Sequence, residues 1–274
     1  MPSFSRRSRM LIALGVTLGA LVLLVVVGLA LPDTGLRTNF LQQSQAPSSA
    51  HWFGTDPLGR DMLTRTIKGL VRGLGVGALA SAVAALIALV LGIVAATAGP
   101  RVDAAITFAV DTVMSVPHIV LLILISFALG GGTRGVIIAV AVTHWPSLTR
   151  VIRAEVMQLR SAEYVQVGRK LGRSASWVAL NHMVPHVLPQ FIVGLVLLFP
   201  HALLHEAGLT FLGFGLSPHL PAIGVILAES MRYLSLGYWW LAVLPGFMLV
   251  VAVKVIDALG EGLRDLIDPH TVQE

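Results

Sequence analysis

Apolar residues fill long windows of this chain, and polar residues gather in a few gaps between them. Met10–Leu31 holds no Asp, Glu, Lys or Arg. As a helix rising 1.5 Å per residue it covers roughly 33 Å, enough for a hydrocarbon core of about 30 Å. Pro32, Asp33 and Gly35 end it, and a polar connection over residues 33–65 follows, irregular around Gln42–Ser49. Thr55 or Asp56 is placed to cap a short helix in which Met62, Leu63, Ile67, Leu70 and Val71 recur at helical spacing between Arg60, Lys68 and Arg72. That pattern predicts an amphipathic helix lying at the membrane interface.

Five further apolar windows follow. Leu74–Ala98 is rich in Gly, Ala and Ser, which suits close helix packing. Ile106–Leu129 is predicted to kink at Ser115-Val116-Pro117. Gly135–Leu148 is short and can continue as helix past Arg150. Gln190–Leu212 is the fifth span and Leu234–Val253 the sixth, with Trp239 and Trp240 as an interfacial anchor. Residues 213–233 are expected outside the membrane, partly re-entrant. The fold expected is an all-α polytopic membrane protein with about six transmembrane helices.

Composition agrees. Of 274 residues 55% are hydrophobic and 12% charged, against about 25% charged in soluble domains, and the mean hydropathy is +0.83. The net charge of +5 reads as an orientation signal. Arg150, Arg153, Arg160, Arg169, Lys170 and Arg173 fall between spans four and five, whereas the loops on the other side carry Arg134 and Arg232. Basic residues collect in cytoplasmic loops, so both termini and residues 149–189 are expected in the cytoplasm. Ser5-Arg6-Arg7-Ser8-Arg9 has the charge order of a secretion signal, but the apolar run behind it is too long, and it reads as a retained first span. The chain divides into an N-terminal region at 1–72, a membrane domain at 73–265 and a cytoplasmic tail at 266–274.

Several chemistries are excluded. Without cysteine there is no disulfide, thiolate metal site or thiol nucleophile. No Gly-x4-Gly-Lys-Ser/Thr phosphate cradle is present. His205-Glu206 begins a zinc-protease pattern, but Leu209 stands where the second His is required. By these motifs the chain is expected to bind no cofactor and not to hydrolyse ATP itself.

The longest polar interruption in the second half is Ser161–Pro189. Gln166-Val167-Gly168, three residues, Gly172, nine residues, then His182-x-Val184-Pro185 follows the spacing of the Glu-Ala-Ala signature. This resembles the permease subunits of binding-protein-dependent ABC importers, with Gly172 and Pro185 kept and the Glu and both Ala replaced. Gly172 is suited to cap a short helix over about Ser161–Leu171. A plain solvated loop is the alternative. Gly54-Thr55-Asp56-Pro57-Leu58-Gly59-Arg60-Asp61 and Glu206-Ala207-Gly208-Leu209-Thr210-Phe211-Leu212-Gly213 resemble two further elements of the dipeptide, oligopeptide and nickel branch, in its C-type subunit. The resemblance implies a type I importer architecture with a cytoplasmic coupling helix. It also implies a homologous second permease subunit, two cytosolic ATPase subunits, an extracytoplasmic solute-binding protein and surrounding lipid as partners, with no nucleic acid. Glu163, Tyr164, Gln166, Val167, Gly168, Arg169, Gly172 and Pro185 are then the candidate ATPase-coupling residues.

His201 and His205 lie four apart, on one helical face, with Glu206 adjacent and His219 in the next loop. Ionisable groups inside spans face a bundle interior or pathway, and neutral imidazoles suit Ni, Zn, Cu or Co. His201, His205 and Glu206 are candidate pathway residues, with the two histidines as metal ligands. The pair and the Asp268-Pro269-His270 tail resemble nickel-type subunits, so nickel or a metal chelate is the expected cargo, ahead of dipeptides or oligopeptides. A secondary transporter is the reading from another class.

Overall fold

A computed structural model describes residues 6–267, so the Asp268-Pro269-His270 tail lies outside the described residues. The long helices are α1 (Arg6–Ala30), α2 (Met62–Thr97), α3 (Pro100–Ser115), α4 (His118–Ala128) and α5 (Gly132–Leu159). The short α6 (Glu163–Lys170) and α7 (Ala175–Val178) follow, and a π-turn at Ala179–Met183 leads into α8 (Val184–Phe211). α9 (Ile223–Leu234) and α10 (Trp240–Ile267) complete the chain. The helices α1, α2, α5, α8 and α10 are long and apolar enough to cross a membrane, and the bent pair α3–α4 is a sixth if it is taken as one broken span.

Small residues set the packing. α2 lies along α5 and α8, and α8 lies along α10. The contact face of α2 runs through Gly69, Gly73, Gly77, Ala80, Ala84, Ala88, Gly92 and Ala96, all buried. A Cβ on Gly92 would stand 2.7 Å from Cγ2 of Ile152, so glycine is what lets α5 approach this closely. α1 packs against α10 and α2 but leaves Val16, Leu23 and Leu29 exposed, as a lipid-facing helix should.

Four expectations are corrected. The separate interfacial helix does not exist. Residues 62–72 are the first three turns of α2, because nothing between Arg72 and Leu74 breaks helical geometry, and the division expected at 72–73 falls inside that helix. The cap is Asp61, whose Oδ2 accepts from Thr64 N at 2.8 Å, rather than Thr55 or Asp56. The third span is broken rather than kinked, with α3 and α4 at 95°. Proline drives the preceding Val116 into extended backbone (φ −85°, ψ 136°) and supplies no N–H, so α3 stops and α4 restarts in a new direction. The sixth span starts at Trp240 rather than Leu234 and continues to Ile267. Trp239 is exposed as expected of an anchor, but Trp240 is buried against Gly54, its Nε1 3.4 Å from the Thr55 carbonyl. Span four continues past Arg150, as the sequence allowed, to Leu159.

The connection 33–61 is ordered by charge. Asp56 Oδ1 accepts from the N–H groups of Leu58 and Arg60, both at 2.9 Å, closing the turn that Gly59 passes through at φ +72°. Asp56 Oδ2 accepts from Arg60 Nε at 2.6 Å and from Arg65 Nη1 at 2.7 Å. Arg65 then donates through Nη2 to Glu229 of α9 at 2.8 Å. The loop, the start of α2 and α9 are thus tied by one guanidinium that is 4% exposed. Nearby, the hydrogen bond from Lys68 to Asp33, 2.6 Å long, holds the Asp33 carboxyl below the usual carboxylate range. Replacing Arg65 by Met leaves buried Asp56 with Arg60 as its remaining guanidinium partner, and a loss of about 1–3 kcal/mol is expected. A thermal melt of the detergent-solubilised protein checks it, and Lys68→Met, whose partner Asp33 is exposed, should shift the midpoint little.

Candidate functional site

The polar segment after α5 forms a compact elbow. α6 begins with Glu163, a favourable charge at a helix N-terminus, and Gly172 at φ +79° ends it. Val165 is fully buried and Gly168 is buried, while Glu163, Tyr164, Gln166, Val167, Lys170 and Leu171 face outward. Arg169 belongs to the last turn of the same helix. The Tyr164 ring stacks on His186 with centroids 5.2 Å apart, and Gln166 Nε2 donates to the Ser161 carbonyl at 3.0 Å. Arg173 lies over the Trp177 ring at 4.6 Å. Pro185 is exposed in the first turn of α8, where a missing N–H costs nothing. A Cβ on Gly168 would make only ordinary contact, 3.5 Å from His182 Nε2, so the chain's own packing does not require glycine there.

The histidine grouping differs from the expected one. His201 is exposed, with Nδ1 3.1 Å from the Leu197 carbonyl. His205, one turn on, meets His118 and His144 instead. The ring centroids are 4.7 Å apart for His118 and His205, 4.9 Å for His144 and His205, and 4.6 Å for His118 and His144. These three side chains come from α8, α4 and α5, and a cavity of about 480 Å³ borders them and His201. His219 is exposed in the loop before α9. The sequence reading missed His118 and His144. Each has a proline close by, Pro117 and Pro146, inside an apolar window, and a polar ring at a helix irregularity was the available signal.

Glu206 turns away from the cavity. It is 1% exposed, and its Oε1 accepts from Thr210 Oγ1 at 2.9 Å. A Cβ on Gly73 would lie 2.9 Å from its Oε2. The same Thr210 hydroxyl accepts from Leu216 N at 3.0 Å, fixing the chain as it leaves α8. Glu206 therefore lies where α8 meets Gly73 of α2, and it does not border the histidine cavity. Of the other acids, Asp111 pairs with Arg150 across α3 and α5, the helix–helix contact such a residue is expected to make, and Glu229 belongs to the Arg65 cluster.

The model of the binding-protein-dependent transport system inner membrane component family matches residues 88–273. The chain is 31% identical over 250 residues to the dipeptide transport system permease protein DppC of Bacillus subtilis, covering 91% of this chain and 78% of the relative. It is 32% identical to the oligopeptide transport system permease protein OppC of the same organism, over 85% of this chain and 76% of the relative. A putative peptide transport system permease protein of Brucella abortus is 35% identical over 88% of this chain and 79% of its own length. Among solved structures, a chain of the MetNI methionine ABC transporter in an inward-facing conformation superposes with a TM-score of 0.62 at 18% identity, over 76% of this chain and 98% of that one. At that identity the likeness concerns the fold.

Thr210→Val removes one donor and one acceptor from a buried network. A destabilisation of about 1–3 kcal/mol is expected, read as a lower thermal midpoint, whereas Thr112→Val on an exposed face of α3 should leave the midpoint unchanged.

Proposed function

Because this chain belongs to the family of binding-protein-dependent transport system inner membrane components, in its peptide branch, we propose that it is the peptide-translocating permease subunit of a dipeptide or oligopeptide ABC importer. The multi-pass inner-membrane location and the ABC importer class follow from the family and the apolar helices, and the class replaces the secondary-transporter reading. The observation that carries the peptide cargo is the name shared by relatives matching 85–91% of the chain. It outweighs the nickel expectation, which rested on the His201/His205 pair and the tail. A metal chelate remains the second reading, favoured by the imidazoles of His118, His144 and His205.

In this reading energy arrives through α6. The chain has no phosphate cradle, so two ATPase subunits hydrolyse ATP with Mg, and their closure moves α6 together with α5 and α8. A second permease subunit completes the pathway, and a solute-binding protein docks at the opposite end, where the 33–61 connection lies. The exposed row Tyr164, Gln166, Val167 and Leu171 supports α6 as the ATPase contact, with Val165 as the side chain that anchors it inward.

Proteoliposomes holding the full complex with its binding protein and ATP test the cargo. Accumulation of a radiolabelled dipeptide, with no accumulation of radioactive nickel, is expected. The reverse result would replace peptide by metal. For coupling, Val167→Asp changes an exposed side chain, so stability should stay within about 0.5 kcal/mol while ATP-driven uptake falls at least about tenfold. Uptake equal to the unsubstituted complex would remove α6 from the coupling path.

A further inference from the structure

The imidazoles of His118, His144 and His205 offer one nitrogen each, all within 4.8 Å of one another. Three separate helices supply them, so no local sequence motif produces the grouping. Their hydrogen bonds dispose of one side of two rings. Nδ1 of His144 is 2.9 Å from the Val140 carbonyl, an acceptor that only a protonated Nδ1 can satisfy. Nδ1 of His205 is likewise 2.7 Å from the His201 carbonyl. Each bond leaves a lone pair on Nε2 and fixes the ring, which is how backbone carbonyls orient metal-ligating histidines. His144 Nε2 also stands 3.3 Å from the protonated Nδ1 of His205 and can accept from it, a contact that a bound metal would replace. His118 supplies an independent sign, since its Nε2 is buried with no hydrogen-bond partner. A buried polar nitrogen without a partner carries a desolvation cost that a ligand would remove.

We propose that His118, His144 and His205 form a tripodal binding site for a divalent transition-metal ion of the Ni, Co, Cu or Zn class, open to the cavity between α4, α5 and α8. Imidazole donors select this class over Mg and Ca, which take oxygen ligands. Nitrogens bound tetrahedrally at about 2.0–2.1 Å lie roughly 3.3 Å apart, so ring rotations of about an ångström close the site. Three protein ligands leave one position free. It faces a cavity bordered by Ser147, Leu148, Leu197 and His201, where a water, the His201 ring or a donor atom of a passing solute can complete the shell. His118 is the first residue after the Val116-Pro117 break, so the site lies beside the joint between α3 and α4. The site goes beyond the peptide reading and stands or falls separately from it, because an importer of peptides can carry it.

The assembled complex, purified through an affinity tag free of histidine, is titrated with Co(II), and bound metal is measured with the visible d–d absorption. One Co(II) per chain with the intense bands of a tetrahedral centre is expected. His118→Ala, His144→Ala and His205→Ala should each weaken binding at least about tenfold, and His219→Ala should not weaken it. To separate lost ligation from lost folding, His205→Cys retains a ligand and should bring a new thiolate-to-cobalt charge-transfer band. No stoichiometric Co(II) in the unsubstituted complex overturns the site. So does unchanged affinity in the three alanine variants, or a cysteine variant that binds Co(II) without the charge-transfer band. Dipeptide accumulation in the same preparation reports on the cargo independently.

Discussion

In hydrocarbon no water is available to a backbone N–H or C=O, so the chain must satisfy those groups itself. Helices α1 and α2 do so by helical bonds alone, and the small-residue face of α2 lets its neighbours pack closely. Pro146 in α5, Pro189 and Pro200 in α8 and Pro245 in α10 each remove one helical donor, and the Leu241 carbonyl freed by Pro245 accepts from Ser230 Oγ at 2.7 Å. The largest interruption is the joint at Val116-Pro117. There the helix opens, and the freed polarity is met locally: Ser115 Oγ donates to the Thr112 carbonyl at 2.8 Å, and the Pro117 carbonyl accepts from Val120 N at 3.0 Å. Such a break is tolerated where it borders a cavity rather than lipid, and it lies beside the three histidines of α4, α5 and α8.

The two ends of the bundle are built on different physics. At the 33–61 end, a buried guanidinium ties a loop, a span and α9 through Asp56 and Glu229. Ion pairs of this kind add little net stability but penalise any arrangement that separates the partners, so this end behaves as a fixed frame. At the α6 end the contacts are aromatic and partly exposed. Tyr164 stacks on His186 and meets His182 edge-on, and one buried aliphatic, Val165, docks the helix. Few buried contacts and a π-turn leading into α8 describe an element that can shift with little loss, as a mechanical link between subunits must.

The histidine cavity lies between these ends. Rings from three helices meet there, and a change of the α4 angle would draw them together or apart. That couples the geometry of the cavity to the packing of the helices around it, while Glu206 lies where α8 meets Gly73 of α2.

The sequence by itself determined the class and most of the crossings, because apolar runs long enough to span a bilayer and a one-sided distribution of Arg and Lys are one-dimensional properties. It also located α6 and its end at Gly172, since a helix stop needs only a residue that accepts positive φ. Element boundaries were less legible. Residues 62–72 read as an interfacial helix because Arg60, Lys68 and Arg72 are charged, and only the folded loop shows Arg65 paired and buried so that α2 runs on unbroken. The proline at 117 was visible, but the size of the turn was set by the neighbours that receive α4. The partners of His205 were decided by tertiary structure alone. Spacing of four placed His201 beside it on one helix, whereas His118 and His144 are 87 and 61 positions away in sequence and come within reach only when α4, α5 and α8 pack. Helical periodicity fixes which residues share a face, and helix packing fixes what that face meets.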